Sequence, residues 1–443
     1  MQTLRTDEQQ KKQIAKEFEL LVLYIINIDS RTEEAFKGAN TIQNADFIRS
    51  LIISTDVSSS IPADLRTSSL SIIRKIIESE NKSATSTNSS QWDTDDWSNY
   101  EDQIVERQTM LNNLGVVKLL CRIISKETKR AILEEAVLVA IAVLLGGNNQ
   151  SQMLFHEYIV NDFDNLFLRK IYQLMCECFE LIKKKSIKRN QKMSKIILLD
   201  LQLEALAEND EEHQKLMDQK KLDEDLIKDT EYIDDEERVG ETLTFSRAID
   251  NLQILLRFTQ LLCENHNLDL QNILCVQTDQ NGRRKNKQYN LIQNLARMFE
   301  QYQKLVNSVT IQIGHGLVDA ITESIQGPCK INQTTLTQAK ILDSSREFIA
   351  NFDDKSQVSA LGFVPPDDDE EDAEDLIEIL DEFIQKIATM VVSLLEGEED
   401  VEILQRMNFS LQVSDLKNRM LNVFGNFLIK LKLFPVHQLS KDQ

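Results

Sequence analysis

Apolar residues recur every three to four positions along most of this chain, the spacing that gathers them on one face of a helix. Ile14 to Ile28 (IAKEFELLVLYIINI) predicts one helix and Ser69 to Glu80 (SLSIIRKIIESE) another. Between them DVSSSIPADL reads as a loop with good N-cap residues, and Asn81 to Tyr100, rich in Ser, Thr, Asn and Asp, reads as a surface linker. LGVVKLLCRIIS follows as a short helix. Leu133, Val137, Ala140, Ile141 and Leu144 then give the next helix an apolar face, and Leu138, Val139 and Val143 make its other side apolar too. A helix of that kind belongs in the interior, and Gly146-Gly147 supply the left-handed cap that ends it.

Phe167 to Lys185 predicts a further helix, followed by a short apolar segment, SKIILLDLQLEA, and a charged stretch from Leu206 to Gly240 best read as a solvated helix or insertion. Ile254, Leu255, Phe258, Leu261 and Leu262 form another stripe, and GLVDAITESIQ predicts a helix stopped by Gly327-Pro328. After the acidic loop PPDDDEEDAED comes an amphipathic helix with Leu376, Ile379, Leu380, Phe383, Ile384, Ile387, Met390, Val391 and Leu394 on one face, closed by Gly397. Leu416 to Leu431 predicts a last helix.

Short helices in antiparallel series imply an all-α fold, an armadillo-like helical solenoid, although no clean repeat period is visible. Twelve glycines and five prolines are too few for a protein built on hairpins. The expected organisation is N-terminal helices and linker over 1–100, a helical repeat over 101–190, a charged insertion over 191–241 and a second helical domain over 242–443.

Composition changes the picture mainly by exclusion. A net charge of −22 argues against nucleic acid and against an anionic membrane surface as partner. The longest apolar run, Ala136 to Leu145, is about half of what crosses a bilayer, so no direct membrane span is expected. Six scattered cysteines imply no disulfide framework, and Cys176 and Cys178, two apart on a helix, point to different faces. No nucleophile elbow, P-loop or HExxH pattern is present, so the chain is not expected to be an enzyme.

Glu264 and Glu323 stand out. Each falls in the last turn of a predicted helix, where a carboxylate faces the negative end of the dipole at a cost of about 0.3–1 kcal/mol. His266 lies two residues beyond the first, and Gln326 lies on the same helix face as the second. A helix-end acid is ordinarily a surface group; two of them, with nearby carbonyls, would form a hard oxygen site if the fold joined them.

Three blocks, LLGGNNQSQ (144–152), FTQLLCENHNLDLQNIL (258–274) and ITESIQGPC (321–329), resemble the inositol trisphosphate and ryanodine receptor family; SLLEGEED and the helix after it are also similar. The order and spacing resemble that family's homology domain followed by its associated domain, over roughly residues 114–434. The resemblance implies a cytosolic, calcium-sensing regulatory region of an intracellular calcium-release channel, lacking the pore and the β-rich ligand-binding region. It implies calcium as a regulatory ligand, weak in the isolated chain, with Glu264 and Glu323 as ligands and His266 and Gln326 beside the site. The partner would be a pore-bearing segment or subunit, in a homotetramer, on the cytosolic face of the endoplasmic reticulum. A helical scaffold that kept the fold without channel coupling is the alternative.

Other candidates are weaker. Asp367, Asp369, Glu371, Asp375 and Glu378 fall at EF-hand positions, but Asp372 stands where the sharp turn needs Gly. WDTDDWSNYEDQ fails the same test. The cluster Arg283-Arg284-Lys285-Asn286-Lys287 reads as a loop tip, and His315 as a loop or packing residue.

Overall fold

The computed structural model describes residues 40–78, 94–204, 214–222, 243–351, 370–397 and 401–410. Among them every extended regular element is a helix and no strand forms, Thr278 and Arg284 making an isolated bridge. The all-α expectation is therefore met. The chain divides into two compact units, one drawn from residues up to Met175 plus Ile254–Tyr289, the other from Cys176–Gln253 and Asn290 onward.

The first unit contains α1 (Asn40–Thr55), α2 (Ala63–Glu78), α3 (Thr94–Asn113), α4 (Val116–Lys126), α5 (Arg130–Leu144) and α6 (Asn149–Asn161). The start of α7 (Leu166–Glu204), the end of α8 (Phe245–Cys263) and α9 (Leu268–Cys275) complete it. Helix α5 packs against α2, α3, α4 and α6. Its all-round apolar sequence explains this position: Ala136, Val139, Ala140, Val143 and Leu144 have no solvent exposure, while Leu138 and Ile141 are half-buried. Gly146 (φ 74°) and Gly147 (φ 65°) end it in the left-handed region, as the sequence requires. Phe155, Phe167 and Phe258 meet edge-on or tilted, with centroids 5.6–6.2 Å apart, and join α6, α7 and α8 in one aromatic cluster.

A buried ion pair fastens the other side of α5. Arg66 on α2 sits 2.8 Å from Glu127, and each side chain is 7% exposed. Arg66 also donates to the Thr55 carbonyl at the end of α1. Glu127 accepts from the Thr128 and Lys129 backbone N–H groups at the start of α5. Burial alone would raise its carboxyl, but those two N–H groups and the guanidinium outweigh it and hold the group below its ordinary range.

The second unit includes α10 (Leu291–Tyr302), α11 (Ile311–Ile325), α12 (Lys330–Gln338), α13 (Ile341–Asn351), α14 (Glu370–Ser393) and α15 (Val401–Ser410). Helix α11 packs on α10 and α14. The stripe Leu380, Phe383, Ile384, Ile387, Met390, Val391 and Leu394 is buried, and Phe383 packs with Tyr302, Phe348 and the ring of His315. Tyr302 fills the space over Gly314, where a Cβ would lie 2.6 Å from its ring, and gives its hydroxyl proton to the Thr310 carbonyl.

Several boundaries differ from the sequence reading. Helix α1 was not anticipated, because Asn40 to Thr55 mixes polar residues into its apolar positions. The expected linker gives way at Thr94, where α3 begins. The helix begun at Phe167 and the apolar segment SKIILLDLQLEA form one continuous helix, α7. The expected helix over 14–28, most of the charged stretch 206–240, Asp367 and Asp369 of the acidic loop and the helix at 416–431 lie outside the described residues, whereas the rest of the EF-hand-like set, Glu371, Asp375 and Glu378, together with Asp372, stands on helix α14 and not in a loop.

Candidate cation site at the helix ends

Helix α8 stops at Cys263, and Glu264 opens a single 3-10 turn through His266 instead of occupying the last α-helical turn. Asn265 (φ 61°) and His266 (φ 57°) both adopt the left-handed conformation. Two consecutive non-glycine residues there are costly, and fixed contacts hold them. Asn265 donates to the Gly146 and Gly147 carbonyls, and Asn267 caps α9 by accepting from the Leu270 N–H. Gly147 has no room for a side chain, since a Cβ would fall 2.8 Å from Asn265 Cγ. Glu264 is half-buried, and its Oε2 is screened from solvent without a hydrogen-bond donor. His266 is exposed.

In the second unit Glu323 lies in the last turn of α11, as expected, and is half-buried. Gln326, also half-buried, leaves the helix in an extended conformation while its N–H still reaches the Thr322 carbonyl. Gly327 (φ 74°) then turns the chain and donates its N–H to Glu396 at 3.0 Å. Pro328 packs where a Cβ on Gly397 would be, 2.9 Å away, so two turns of this unit touch through a glycine. Glu264 and His266 thus stand on one unit, Glu323 and Gln326 on the other.

Chemically, each turn offers a carboxylate beside helix-end carbonyls, the donor set of a hard cation such as calcium. A screened carboxylate oxygen with no donor of its own is an unmet electrostatic demand that a cation would answer. No group of three or more His, Cys, Asp or Glu side chains converges among the described residues. Binding here would rest on few charges.

Sequence reasoning missed the residues that hold these ends. The Gln152 amide, 2% exposed, donates to the carbonyls of Leu261 (3.0 Å), Leu262 (3.4 Å) and Glu264 (2.9 Å), and its Oε1 accepts from Asn267 (2.9 Å). Gln108 does the same for α5, donating to Ala142 and Leu145 and accepting from Asn148. Gln333 donates to Ser393, Leu394 and Glu396 at the end of α14. Asn148 caps α6 one helical turn before Gln152, but Ile104 and Cys329 stand at the same spacing before Gln108 and Gln333, so no shared sequence signal marks the three.

The remaining candidates resolve into structure. The basic cluster is an exposed turn, except that Lys285 reaches back to the Ile159 and Asp162 carbonyls and caps α6. His315 is a packing residue on α11, bonded to the Ile379 carbonyl at 3.1 Å. All six cysteines are free thiols, five of them buried.

Residues 246–349 match the family model described as RyR and IP3R Homology associated. Over 275 residues the chain is 27% identical to the inositol 1,4,5-trisphosphate receptor itr-1 of Caenorhabditis elegans, a match covering 54% of this chain and 9% of that receptor. The resemblance to the inositol trisphosphate and ryanodine receptor family is thereby shown. Among the described residues no helix is long and apolar enough to cross a membrane.

Proposed function

We propose that this chain is a calcium-sensing regulatory region of an intracellular calcium-release channel, acting on the cytosolic face of the endoplasmic reticulum. Its partner is a pore-bearing segment or subunit, and the working assembly is a homotetramer formed through the channel. Its calcium ligands are Glu264 and Glu323, with His266 and Gln326 adjacent. The observation behind this reading is the Glu264 carboxylate oxygen, screened from water and left without a donor.

The residues divide the work simply. Glu264 and Glu323 supply negative charge, and neighbouring helix-end carbonyls supply further oxygen. Bound calcium would neutralise the carboxylates that hold it. Binding would bias the helical repeats that act on the pore. With two carboxylates, affinity in the isolated chain is on the order of 10⁻⁵ M or poorer. Calorimetric titration should show one weak calcium event, abolished separately by Glu264→Gln and Glu323→Gln. An unchanged event in either variant would overturn the site. A chain that binds no calcium but still associates with channel subunits would be a helical scaffold.

A further inference from the structure

Resting on that reading of Glu264, we infer that Gln152 is the positioning residue of the cation site: it fixes the turn that presents the carboxylate and ties it to α6.

The geometry is repeated, and the repetition separates what is structural from what is particular to Glu264. In each of three places a buried glutamine amide donates to the carbonyls that end a neighbouring helix: Gln108 at the end of α5, Gln152 at the end of α8 and Gln333 at the end of α14. The last carbonyl reached belongs to Leu145, Glu264 and Glu396 respectively. These groups have lost their helical partners, so an amide there serves the backbone in all three. The residue bearing that last carbonyl differs. Leu145 is apolar and partly exposed. Glu396 already accepts from the Gly327 N–H. Glu264 alone of the three keeps a screened oxygen without a donor.

Around Gln152 the network is closed on both sides. Its N–H groups are shared among three carbonyls up to Glu264, and its carbonyl oxygen is taken by Asn267, the cap of α9. The turn Glu264–Asn267 is therefore clamped at both ends by one side chain of α6. The Asn265 side chain, bonded to Gly146 and Gly147, clamps its middle. Release of the Gln152 clamp frees the turn to rotate and moves the carboxylate without removing it. Outer residues that orient a metal ligand typically contribute 10–100-fold in affinity.

The test is calorimetric calcium titration of the full chain, with circular dichroism to follow folding. Gln152→Met keeps length and volume but removes every one of these bonds, and should weaken calcium binding about tenfold. Gln108→Met removes the same device from a helix end that has no acid; it should lower the melting temperature comparably and leave calcium affinity within about twofold. Should Gln152→Met fail to fold, Gln152→Asn, which keeps the amide but withdraws it by one methylene, should show the same selective loss. Wild-type affinity in the folded Gln152 variant, or equal weakening by Gln108→Met, overturns the inference while the site itself stands. A wild-type chain with no calcium event refutes the site, and the positioning role falls with it.

Discussion

Replacement of Glu127 by Gln tests how the first unit is held together. The substitution keeps shape and an acceptor for the Thr128 and Lys129 N–H groups but takes away the paired charge of the buried Arg66 guanidinium, leaving Asp56, itself paired with Arg122, as its remaining counter-charge. Both side chains are 7% exposed and 2.8 Å apart, so solvent does little to relieve the loss. Breaking such a pair costs about 3–5 kcal/mol, and because Gln retains one hydrogen bond to Arg66 the lower figure, about 3 kcal/mol, is expected. For a unit of this size that corresponds to a fall of about 6–12 °C in melting temperature. Arg66→Met with Glu127→Gln removes both charges and should cost less than the two single changes added together. The pH dependence has a definite sign. Glu127 is held below its ordinary value of 4.5, so its contribution is intact above that pH and disappears as the pH falls through the lower folded value. Thermal unfolding followed by circular dichroism between pH 7 and 3 reads both effects. Additive single changes, or a cost under about 1 kcal/mol for Glu127→Gln, would refute the reasoning.

Two further substitutions probe other joints. Gly147→Ala forces a left-handed alanine against the Asn265 side chain and should destabilise the first unit by about 1–3 kcal/mol, measured by urea denaturation. His315 is lowered from 6.5 by burial and then by nearby Lys386, with Glu382 and Asp319 opposing. Its contribution to α11–α14 packing should be complete above 6.5 and lost as pH falls through the lower folded value; His315→Gln should remove that dependence from melting curves of the second unit.

Where periodicity was strong, sequence and structure agree closely. The interior position of α5, the glycine stops at Gly146, Gly327 and Gly397, and the apolar stripe of α14 all follow from residue spacing. Helix α1 was hidden because its polar residues blur the stripe, and α3 because its opening Thr-Asp-Asp-Trp-Ser-Asn looks like a loop when read locally. Glu264 and Glu323 could be singled out from their helix-end positions. Gln152 could not, because a glutamine's role depends on which carbonyls the fold brings to it from more than a hundred residues away.

The glutamine caps set different tolerances for change in different parts of the chain. Asn148 and Gln152 sit one helical turn apart, so a single inserted residue between them would swing the amide about 100° around the helix and away from its carbonyls. Length variation among relatives should therefore be purged from this four-residue interval.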